Sequence, residues 1–229
     1  MSKNTIRIIV WLVGLYVMCQ AIADVGATKL VEIGGVVMPG GTFIFALTFT
    51  LRDMIHKRLG KDWARAAIVA AAGMNIILAL YMAAIGRLPS PDFFALGDAW
   101  GAIFAIVPAI TIGSIAAEFA SEMTDTEVYH FWKTRFPRAP QWSRVLVSNA
   151  ISLPIDSIIF TLLAFVVLPP VFGAEAMPFG VAVARLASGQ ILYKAAVTLI
   201  SLPLIYTIPD RPVDDLLLAR AGTATTTTL

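Results

Sequence analysis

The sequence predicts an all-α membrane protein with six transmembrane helices and both termini in the cytoplasm. Three observations support this fold class. The 229 residues are 58% hydrophobic and only 14% charged, with a mean hydropathy of +0.80, whereas soluble domains have about 25% charged residues. The apolar residues form runs long enough to cross a bilayer, which takes about 20 helical residues. Lysines and arginines are concentrated in alternate connections between these runs.

The composition and the motifs exclude several classes of protein and of site. A chain this apolar can neither cover itself with a solvated surface nor stay disordered. Its net charge is only +2 and its basic residues are scattered through short loops, which argues against a nucleic-acid partner. Cys19 is the single cysteine, and His56 and His130 lack the spacing of paired ligands, so we expect no metal and no cofactor. No nucleophile elbow, HExxH motif, P-loop or dinucleotide fingerprint occurs, so we expect that the protein is not an enzyme.

Six apolar stretches have the length of a membrane span. They are Ile6–Ala23, Val37–Met54, Ala64–Gly86, Trp100–Ala120, Val145–Leu168 and Pro178–Ile208. Runs this long are expected to be helical because backbone polar groups in lipid must be satisfied within the segment. The second stretch ends in Arg52 and Asp53, and the sixth contains Arg185 and Lys194. These charges lower the hydropathy of a stretch without removing the span.

The lysines and arginines predict the orientation of the spans. Thirteen of them fall at the two termini and in the second and fourth connections, whereas the opposite side carries only Lys29 and Arg87. Cytoplasmic loops are enriched in these residues, so both termini are expected in the cytoplasm, which agrees with an even number of spans. Residues 1–220 are expected to form a single six-helix transmembrane domain, and the low-complexity residues 221–229 a disordered tail.

The N-terminus allows a second interpretation. Lys3 and Arg7 precede an apolar run that ends in Ala21-Ile22-Ala23, which also resembles a signal peptide with its cleavage site. Cleavage would leave five spans and move the new N-terminus outside. The apolar run is long for a signal peptide, so we expect the first span to be retained.

Three acidic residues mark the fourth predicted span. Glu118, Glu122 and Asp125 follow i, i+4, i+7 spacing and share one helix face near its cytoplasmic end. An ionisable residue inside a span indicates function, because its burial costs several kcal/mol unless it is paired or hydrated. The alternative is that Glu122 and Asp125 lie in the headgroup region and pair with Lys133 or Arg135.

The fifth predicted span carries a polar face beside a proline. Ser148, Ser152 and Asp156 follow i, i+4, i+8 spacing, with Asn149 beside them and Pro154 in the middle. Proline removes a backbone hydrogen bond and frees a carbonyl that must face protein or water. An aspartate next to such a break is a typical place to bind a polar solute.

The sixth predicted span supplies a counter-ion. Gln190 and Lys194 lie one helical turn apart, and Lys194 is the only lysine deep in a span, with Asp156 as its expected partner. Alternatively, Asp156 pairs with Lys194 or Arg185 only to hold helices together. The two roles are compatible, since paired intramembrane charges also mark substrate pathways. Phe160 could stack on a planar ligand, although packing or lipid contact is the commoner role of an aromatic residue.

Four segments together resemble a known family. They are Phe49–Gly60 (FTLRDMIHKRLG), Ser114–His130 (SIAAEFASEMTDTEVYH), Ser148–Phe165 (SNAISLPIDSIIFTLLAF) and Tyr193-Lys194. In this order they resemble the vitamin uptake transporter family, also called the queuosine precursor transporter family, over most of the chain from the second span onward. The most specific parts are the spacing of Asp53 and Gly60 and the pattern from Asn149 to Phe165. The sequence departs from the family pattern at Lys57, Leu59 and Glu122.

The resemblance implies six helices and uptake of 7-deazaguanine bases, such as 7-cyano-7-deazaguanine, which are precursors of the tRNA nucleoside queuosine. It places the protein in the inner membrane and suggests alternating access. It also implies a likeness to the substrate-binding subunits of energy-coupling-factor vitamin transporters. A vitamin-binding subunit that needs a separate energising complex is therefore the alternative, and the oligomeric state stays open. An intramembrane enzyme that uses the fourth-span carboxylates is disfavoured, because no catalytic constellation accompanies them.

The chemistry of such a base assigns roles to the polar residues. A guanine-like edge offers adjacent N–H donors, which a carboxylate accepts in bidentate fashion, and its acceptors require Asn, Gln, Ser or Lys donors. The expected substrate-binding residues are Asp156, Lys194, Asn149, Glu122, Gln190, Ser152 and Phe160. The expected gating or structural charges are Asp53, Asp125 and Glu118. The expected partners are a planar small-molecule base and the lipid bilayer.

Overall fold

The computed structural model describes residues 3–59 and 61–207, which form a helical bundle with one short β-hairpin. The helices are α1 (Lys3–Gly26), α2 (Thr42–Leu59), α3 (Lys61–Gly86), α4 (Gly97–Phe104), α5 (Val107–Arg135), α6 (Gln141–Leu162), α7 (Phe179–Val181) and α8 (Ser188–Ser201). The strands are β1 (Leu30–Ile33) and β2 (Val36–Pro39). Wider π-helical turns occupy Leu163–Val167 and Ala182–Ala187, and 3-10 turns occupy Pro169–Phe172 and Leu202–Thr207. The predicted tail, residues 221–229, lies outside the described residues, as do the side chains of His56 and His130.

Within the described residues, four helical segments are long and apolar enough to cross a membrane. They are Ile6–Gly26, Trp63–Gly86, Gly97–Asp125 and Trp142–Val167, which correspond to the first, third, fourth and fifth predicted spans. The protein is therefore a multi-pass helical membrane protein. Helix α2 is not one of these four segments, because several charged residues lie in its C-terminal half. The sixth predicted span is divided among α7, a π-helical turn and α8. Six spans and the orientation of the termini stay a prediction.

The β-hairpin corrects the predicted start of the second span. The span was expected from Val37, but Val36–Pro39 forms β2, and α2 begins only at Thr42. Gly34 and Gly35 have φ values of 59° and 80°, and a two-residue turn with positive φ at both positions matches the twist of paired strands. A short apolar run such as Val36 to Met38 cannot be assigned to helix or strand by periodicity, which explains the error.

The fourth predicted span is also divided and longer than expected. It was predicted as Trp100–Ala120, but α4 ends at Phe104 and α5 runs from Val107 to Arg135. Pro108 lies in the first turn of α5, where its missing N–H leaves no helical hydrogen bond unmade. The extension carries Glu122 and Asp125 on the same continuous helix as Glu118.

The bundle is apolar outside and combines apolar and polar side chains inside. Trp11 on α1 is 78% exposed and Ile200 on α8 is 79% exposed, as expected for side chains that face lipid. Buried side chains include many hydroxyls, amides and charged groups. Examples are Gln20, Asp24, Arg52, Asn75, Thr111, Glu118, Asp156, Gln190 and Lys194. Polar and ionisable groups are costly inside a membrane and mark functional regions.

Two glycines allow close packing of the hairpin, and of the segment that follows it, against the helices. A Cβ atom at Gly189, at the start of α8, would overlap the carbonyl oxygen of Val37 in β2. A Cβ atom at Gly41 would overlap the carbonyl oxygen of Ala23 in α1. Both clashes involve backbone atoms, which cannot rotate away as a flexible side chain can. The hairpin therefore packs directly against α8, and the segment that follows it packs against α1.

We expect Gly189→Ala to destabilise the protein by about 1–3 kcal/mol, because overpacking displaces the β2 backbone. Thermal unfolding of the purified protein in detergent would measure the effect. Gly73→Ala in α3 is the matched control, since its Cβ atom would meet nothing within 4 Å, and glycine to alanine in a helix stabilises by about 0.5–1 kcal/mol. Equal melting temperatures for the two variants would contradict the close packing of the hairpin.

Candidate ligand-binding site

A cavity lies inside the bundle between α1, β2, α2, α5, α6 and α8. The space between the surrounding atoms, open solvent included, is about 320 Å³. Most of its wall is apolar. Its polar side chains are Asp24, Thr42, Ser114, Asp156, Gln190 and Lys194. A largely apolar cavity with a few convergent polar groups is the usual form of a small-ligand site.

A buried ion pair occupies one wall of this cavity. Lys194 Nζ lies 2.5 Å from Asp156 Oδ2, and each residue is only 1% exposed. Lys194 Nζ also donates to Gln190 Oε1 at 3.3 Å and to Ser157 Oγ at 3.4 Å. Gln190 Nε2 in turn donates to Thr161 Oγ1 at 2.8 Å. The pairing that the sequence predicted for Asp156 and Lys194 is confirmed, and it joins α6 to α8.

One oxygen of the pair is left without a partner. Asp156 Oδ1 is buried and accepts no hydrogen bond from the described residues. An unsatisfied buried acceptor costs about 1–3 kcal/mol. Asp156 lines the cavity, so an N–H group of a bound ligand could satisfy this oxygen. The geometry therefore combines a neutralised carboxylate with one free acceptor site.

Two aromatic rings complete the wall. Phe160 lies one helical turn after Asp156 on α6, and Phe45 comes from α2. Lys194 Nζ sits 4.8 Å from the centre of the Phe45 ring, a cation–π distance. The ring of Phe165 holds Phe160 edge to face at 5.9 Å. Phe45 was not predicted, because an aromatic residue in an apolar run has no distinguishing pattern.

Asp24 is a second carboxylate at the cavity that the sequence prediction missed. It lies near the C-terminal end of α1, is only 2% exposed, and accepts a hydrogen bond from Thr111 Oγ1 at 2.9 Å. It directly follows Ala21-Ile22-Ala23, the tripeptide that resembles a signal-peptide cleavage site. The rule that singled out Asp156, an ionisable residue inside an apolar run, could also have found Asp24.

A smaller cavity, with about 190 Å³ of space when open solvent is included, adjoins the first at Phe45. Its lining includes Tyr16, Thr48, Arg52 and Glu118. Glu118 Oε1 accepts hydrogen bonds from the Tyr16 hydroxyl at 2.5 Å and from Gln20 Nε2 at 2.8 Å. These bonds join α1 to α5, so Glu118 is a buried and satisfied carboxylate.

A cluster of charges lies next along the bundle. Arg52 reaches Asp125 Oδ2 at 3.6 Å and Asp53 Oδ1 at 3.8 Å. Glu122 also interacts electrostatically with Arg52. Ser152 Oγ donates to Asp125 Oδ1 at 3.3 Å. The sequence analysis put Arg52 at the end of the second predicted span, but the structure buries it in the interior, where it pairs with Asp125 across α2 and α5.

The structure brings four of the seven predicted substrate-binding residues to the cavity. These are Asp156, Lys194, Gln190 and Phe160. Asn149, Ser152 and Glu122 are not among the residues that line it. Helical rise explains the difference: Ser152 is about 6 Å and Asn149 about 10 Å along α6 from Asp156. Their side chains lie at other levels along the bundle. A role in ligand binding stays a prediction for all seven residues.

The described residues contain no group of three or more histidine, cysteine or acidic side chains that could hold a metal ion. The side chains at the cavity include an ion pair, an amide, a second carboxylate and two aromatic rings. Such groups bind a polar planar molecule by hydrogen bonds and stacking.

A multi-pass helical protein with paired charges around an interior cavity has the features of a membrane transporter. The family described as "Putative vitamin uptake transporter" matches residues 39–208, and the chain belongs to this family. A relative in Bacillus subtilis (strain 168), named "Probable queuosine precursor transporter", is 27% identical over 198 residues, which are 86% of this chain and 81% of that protein. No solved structure gives a significant match. The family resemblance of the sequence is thereby confirmed.

Removing one partner of the buried pair should be more harmful than removing both. We expect Asp156→Asn or Lys194→Met alone to cost about 3–5 kcal/mol, because each leaves a buried charge or donor uncompensated. The double variant should cost less than the sum. Unfolding of the four proteins in a mixed-micelle denaturation series would measure the coupling.

The exposed pair between Arg185 and Glu32 is the matched control for this cycle. Its atoms lie 3.7 Å apart and its side chains are 54% and 57% exposed. Solvent screening limits such a pair to about 0–1 kcal/mol. Additive effects at Asp156 and Lys194, equal to those of the control cycle, would show that the buried pair does not hold α6 to α8.

Proposed function

We propose that the protein imports a 7-deazaguanine base, 7-cyano-7-deazaguanine or a related queuosine precursor, across the cell inner membrane by alternating access. The observation that carries the proposal is the free Oδ1 atom of Asp156, buried at the cavity beside Lys194. Membership of a transporter family and the name of the Bacillus relative support the choice of substrate.

The cavity offers the groups that such a base requires. The base has adjacent N–H donors on its guanine-like edge, and Asp156 Oδ1 is an acceptor without a partner. The base also has a carbonyl and a ring nitrogen, which can accept from the second N–H of the Gln190 amide. The faces of a planar ring fit against Phe45 and Phe160. Binding would satisfy an acceptor that is otherwise buried and unpaired.

We propose that α2 and the segment from α7 to α8 are the second and sixth spans. Both contribute to the interior: α2 supplies Arg52 and Phe45, and α8 supplies Gln190 and Lys194. The opposite face of α8 is exposed and apolar. It includes Leu192, Leu199 and Ile200. A helix with polar groups toward the bundle and apolar groups outward fits a lipid-facing position despite its charges.

The two ends of the cavity suggest where access is controlled. On one side Pro39 of the hairpin lines the cavity. On the other side the path continues past Phe45 and Glu118 to the cluster of Arg52 with Asp53 and Asp125. We assign this cluster as the cytoplasmic gate, because its ion pairs link α2 to α5 and must separate if these helices move apart. Glu118 is then a structural charge that joins α5 to α1.

A vitamin-binding subunit that works with a separate energising complex is the second candidate. The description of the matching family as vitamin uptake transporters favours it. It uses the same cavity and differs in the source of energy. Copurification with ATPase subunits from native membranes would support this candidate, whereas uptake by the protein alone in proteoliposomes would exclude it.

Uptake of labelled 7-cyano-7-deazaguanine tests the substrate and the site together. The host would be cells that can neither make nor import the base, and the readout would be queuosine in tRNA. We expect wild-type protein to restore uptake and Asp156→Asn to abolish it at matched membrane expression. Loss of one charge-assisted hydrogen bond costs about 1.5–3 kcal/mol, a tenfold to hundredfold change in affinity.

Asp98→Asn is the control for this experiment, because it makes the same chemical change at an exposed position on α4. It should transport like the wild type. Full uptake by Asp156→Asn would remove Asp156 from the binding site. No uptake by the wild type would remove the deazaguanine assignment and leave the membrane fold unaffected.

Cysteine labelling in intact cells tests the six spans and their orientation. In a Cys19→Ser background, Glu32→Cys in the hairpin should react with a membrane-impermeant maleimide. Arg138→Cys, in the connection between α5 and α6, should react only after lysis. Both positions are exposed in the structure, so access depends on the side of the membrane. A reporter fused to the C-terminus should lie on the same side as residue 138.

These readouts separate the alternatives. If α2 does not cross the membrane, residues 32 and 138 will be labelled from the same side. If the segment from α7 to α8 does not cross, the C-terminal reporter and residue 138 will lie on opposite sides. The reverse labelling pattern would contradict the positive-inside assignment.

A further inference from the structure

The cavity contains more negative than positive side chains. Its ionisable residues are Asp24, Asp156 and Lys194. Lys194 already forms an ion pair with Asp156, because its Nζ atom lies 2.5 Å from Asp156 Oδ2 and the lysine is only 1% exposed. This pairing neutralises one carboxylate and leaves Asp24 as the unbalanced charge of the cavity.

Every described partner of Asp24 is neutral. Thr111 Oγ1 donates to its Oδ2 at 2.9 Å, and the side chains of Ser114 and Asn75 also interact with the carboxylate. Among the residues that the structure describes, no lysine, arginine or histidine forms a salt bridge with it. Asn75 is itself buried, and its Oδ1 atom has no hydrogen-bond partner. The surroundings therefore supply hydrogen bonds without a compensating positive charge.

A buried carboxylate of this kind favours a positively charged ligand. Desolvating an ion costs several kcal/mol, and a cation in contact with it offsets part of that cost. A bond between a protonated amine and a carboxylate is about twice as strong as one between neutral groups. The wall near Asp24 thus differs from the wall at Asp156, where the charge is already neutralised and only a neutral N–H donor is needed.

We propose that Asp24 is a specificity-determining residue that selects a base carrying a protonated amine over the same base with a neutral substituent. The inference rests on the proposed function, because it takes the guanine-like edge of a deazaguanine to be at Asp156. Asp24 and Asp156 lie on different helices, α1 and α6, and line one cavity. The substituent on the five-membered ring is at the other end of the base from that edge, so it can face the second carboxylate.

Asp24 lies outside the part of the chain that matches the family. The family match begins at residue 39, after α1 and after the first strand. The Asp156, Gln190 and Lys194 wall lies inside the matched region, whereas Asp24 lies before it.

Binding of two probes to the purified protein in lipid nanodiscs tests the inference. The probes are 7-aminomethyl-7-deazaguanine, which is cationic at pH 7, and 7-cyano-7-deazaguanine, which is neutral. Calorimetry would give both dissociation constants for the wild type, Asp24→Asn, Asp24→Glu and the exposed control Asp98→Asn. We expect the wild type and Asp98→Asn to prefer the aminomethyl base by about tenfold or more.

The variants distinguish selectivity from a structural role. Asp24→Asn keeps the shape and should lose the preference for the aminomethyl base, so that the two dissociation constants differ by less than about threefold. Asp24→Glu keeps the charge and should retain a preference for the amine. If Asp24→Asn does not fold, as judged by its melting curve, the ratio of the two constants in the wild type and Asp24→Glu decides the question.

Two results would overturn the inference and leave the proposed function intact. One is equal binding of the two bases to the wild type, as expected if Asp24 holds a proton instead of facing a cation. The other is an equal loss of affinity for both bases in Asp24→Asn, which would make Asp24 a structural residue. If neither base binds the wild type, the proposed function fails and the inference fails with it.

Discussion

The ion pair between Asp156 and Lys194 is the interaction on which the interior of this protein depends. Either charge alone would be too costly to keep in the middle of a membrane bundle. Together they hold α6 against α8, orient Gln190 and Thr161 through further hydrogen bonds, and place the ammonium group over the Phe45 ring. The pair uses only one carboxylate oxygen, so the same contact that stabilises the fold leaves an acceptor for a ligand.

The other buried polar groups form successive layers along the bundle. Glu118 is satisfied by Tyr16 and Gln20, and Arg52 is paired with Asp125. Each layer joins helices that are distant in sequence: α6 with α8, α1 with α5, and α2 with α5. Lipid provides no hydrogen bonds, and these buried groups find partners on other helices. The layers therefore link the helices to one another.

The sequence predicted some elements well for a physical reason. Long apolar runs require helices, and charges within such runs require partners, so the four apolar spans and the pairing of Asp156 with Lys194 followed directly. The β-hairpin was missed because its strands are four residues long and apolar, which also suits the start of a helix. Asp24 and Arg52 were missed as interior groups because each lies near the end of an apolar run, where an exposed position is equally consistent with the sequence.

Composition and hydrophobic runs by themselves determined that this chain is a helical membrane protein, and motif order determined its family, because both properties are local along the chain. Only the tertiary structure decided which polar residues share a layer. Helical rise separates Ser152 and Asn149 from Asp156 along α6, while packing brings Asp24 from α1 and Phe45 from α2 to the same cavity. Contacts between helices depend on the rotation and register of each helix, and hydrophobic patterns set these only loosely when both faces of a helix are apolar.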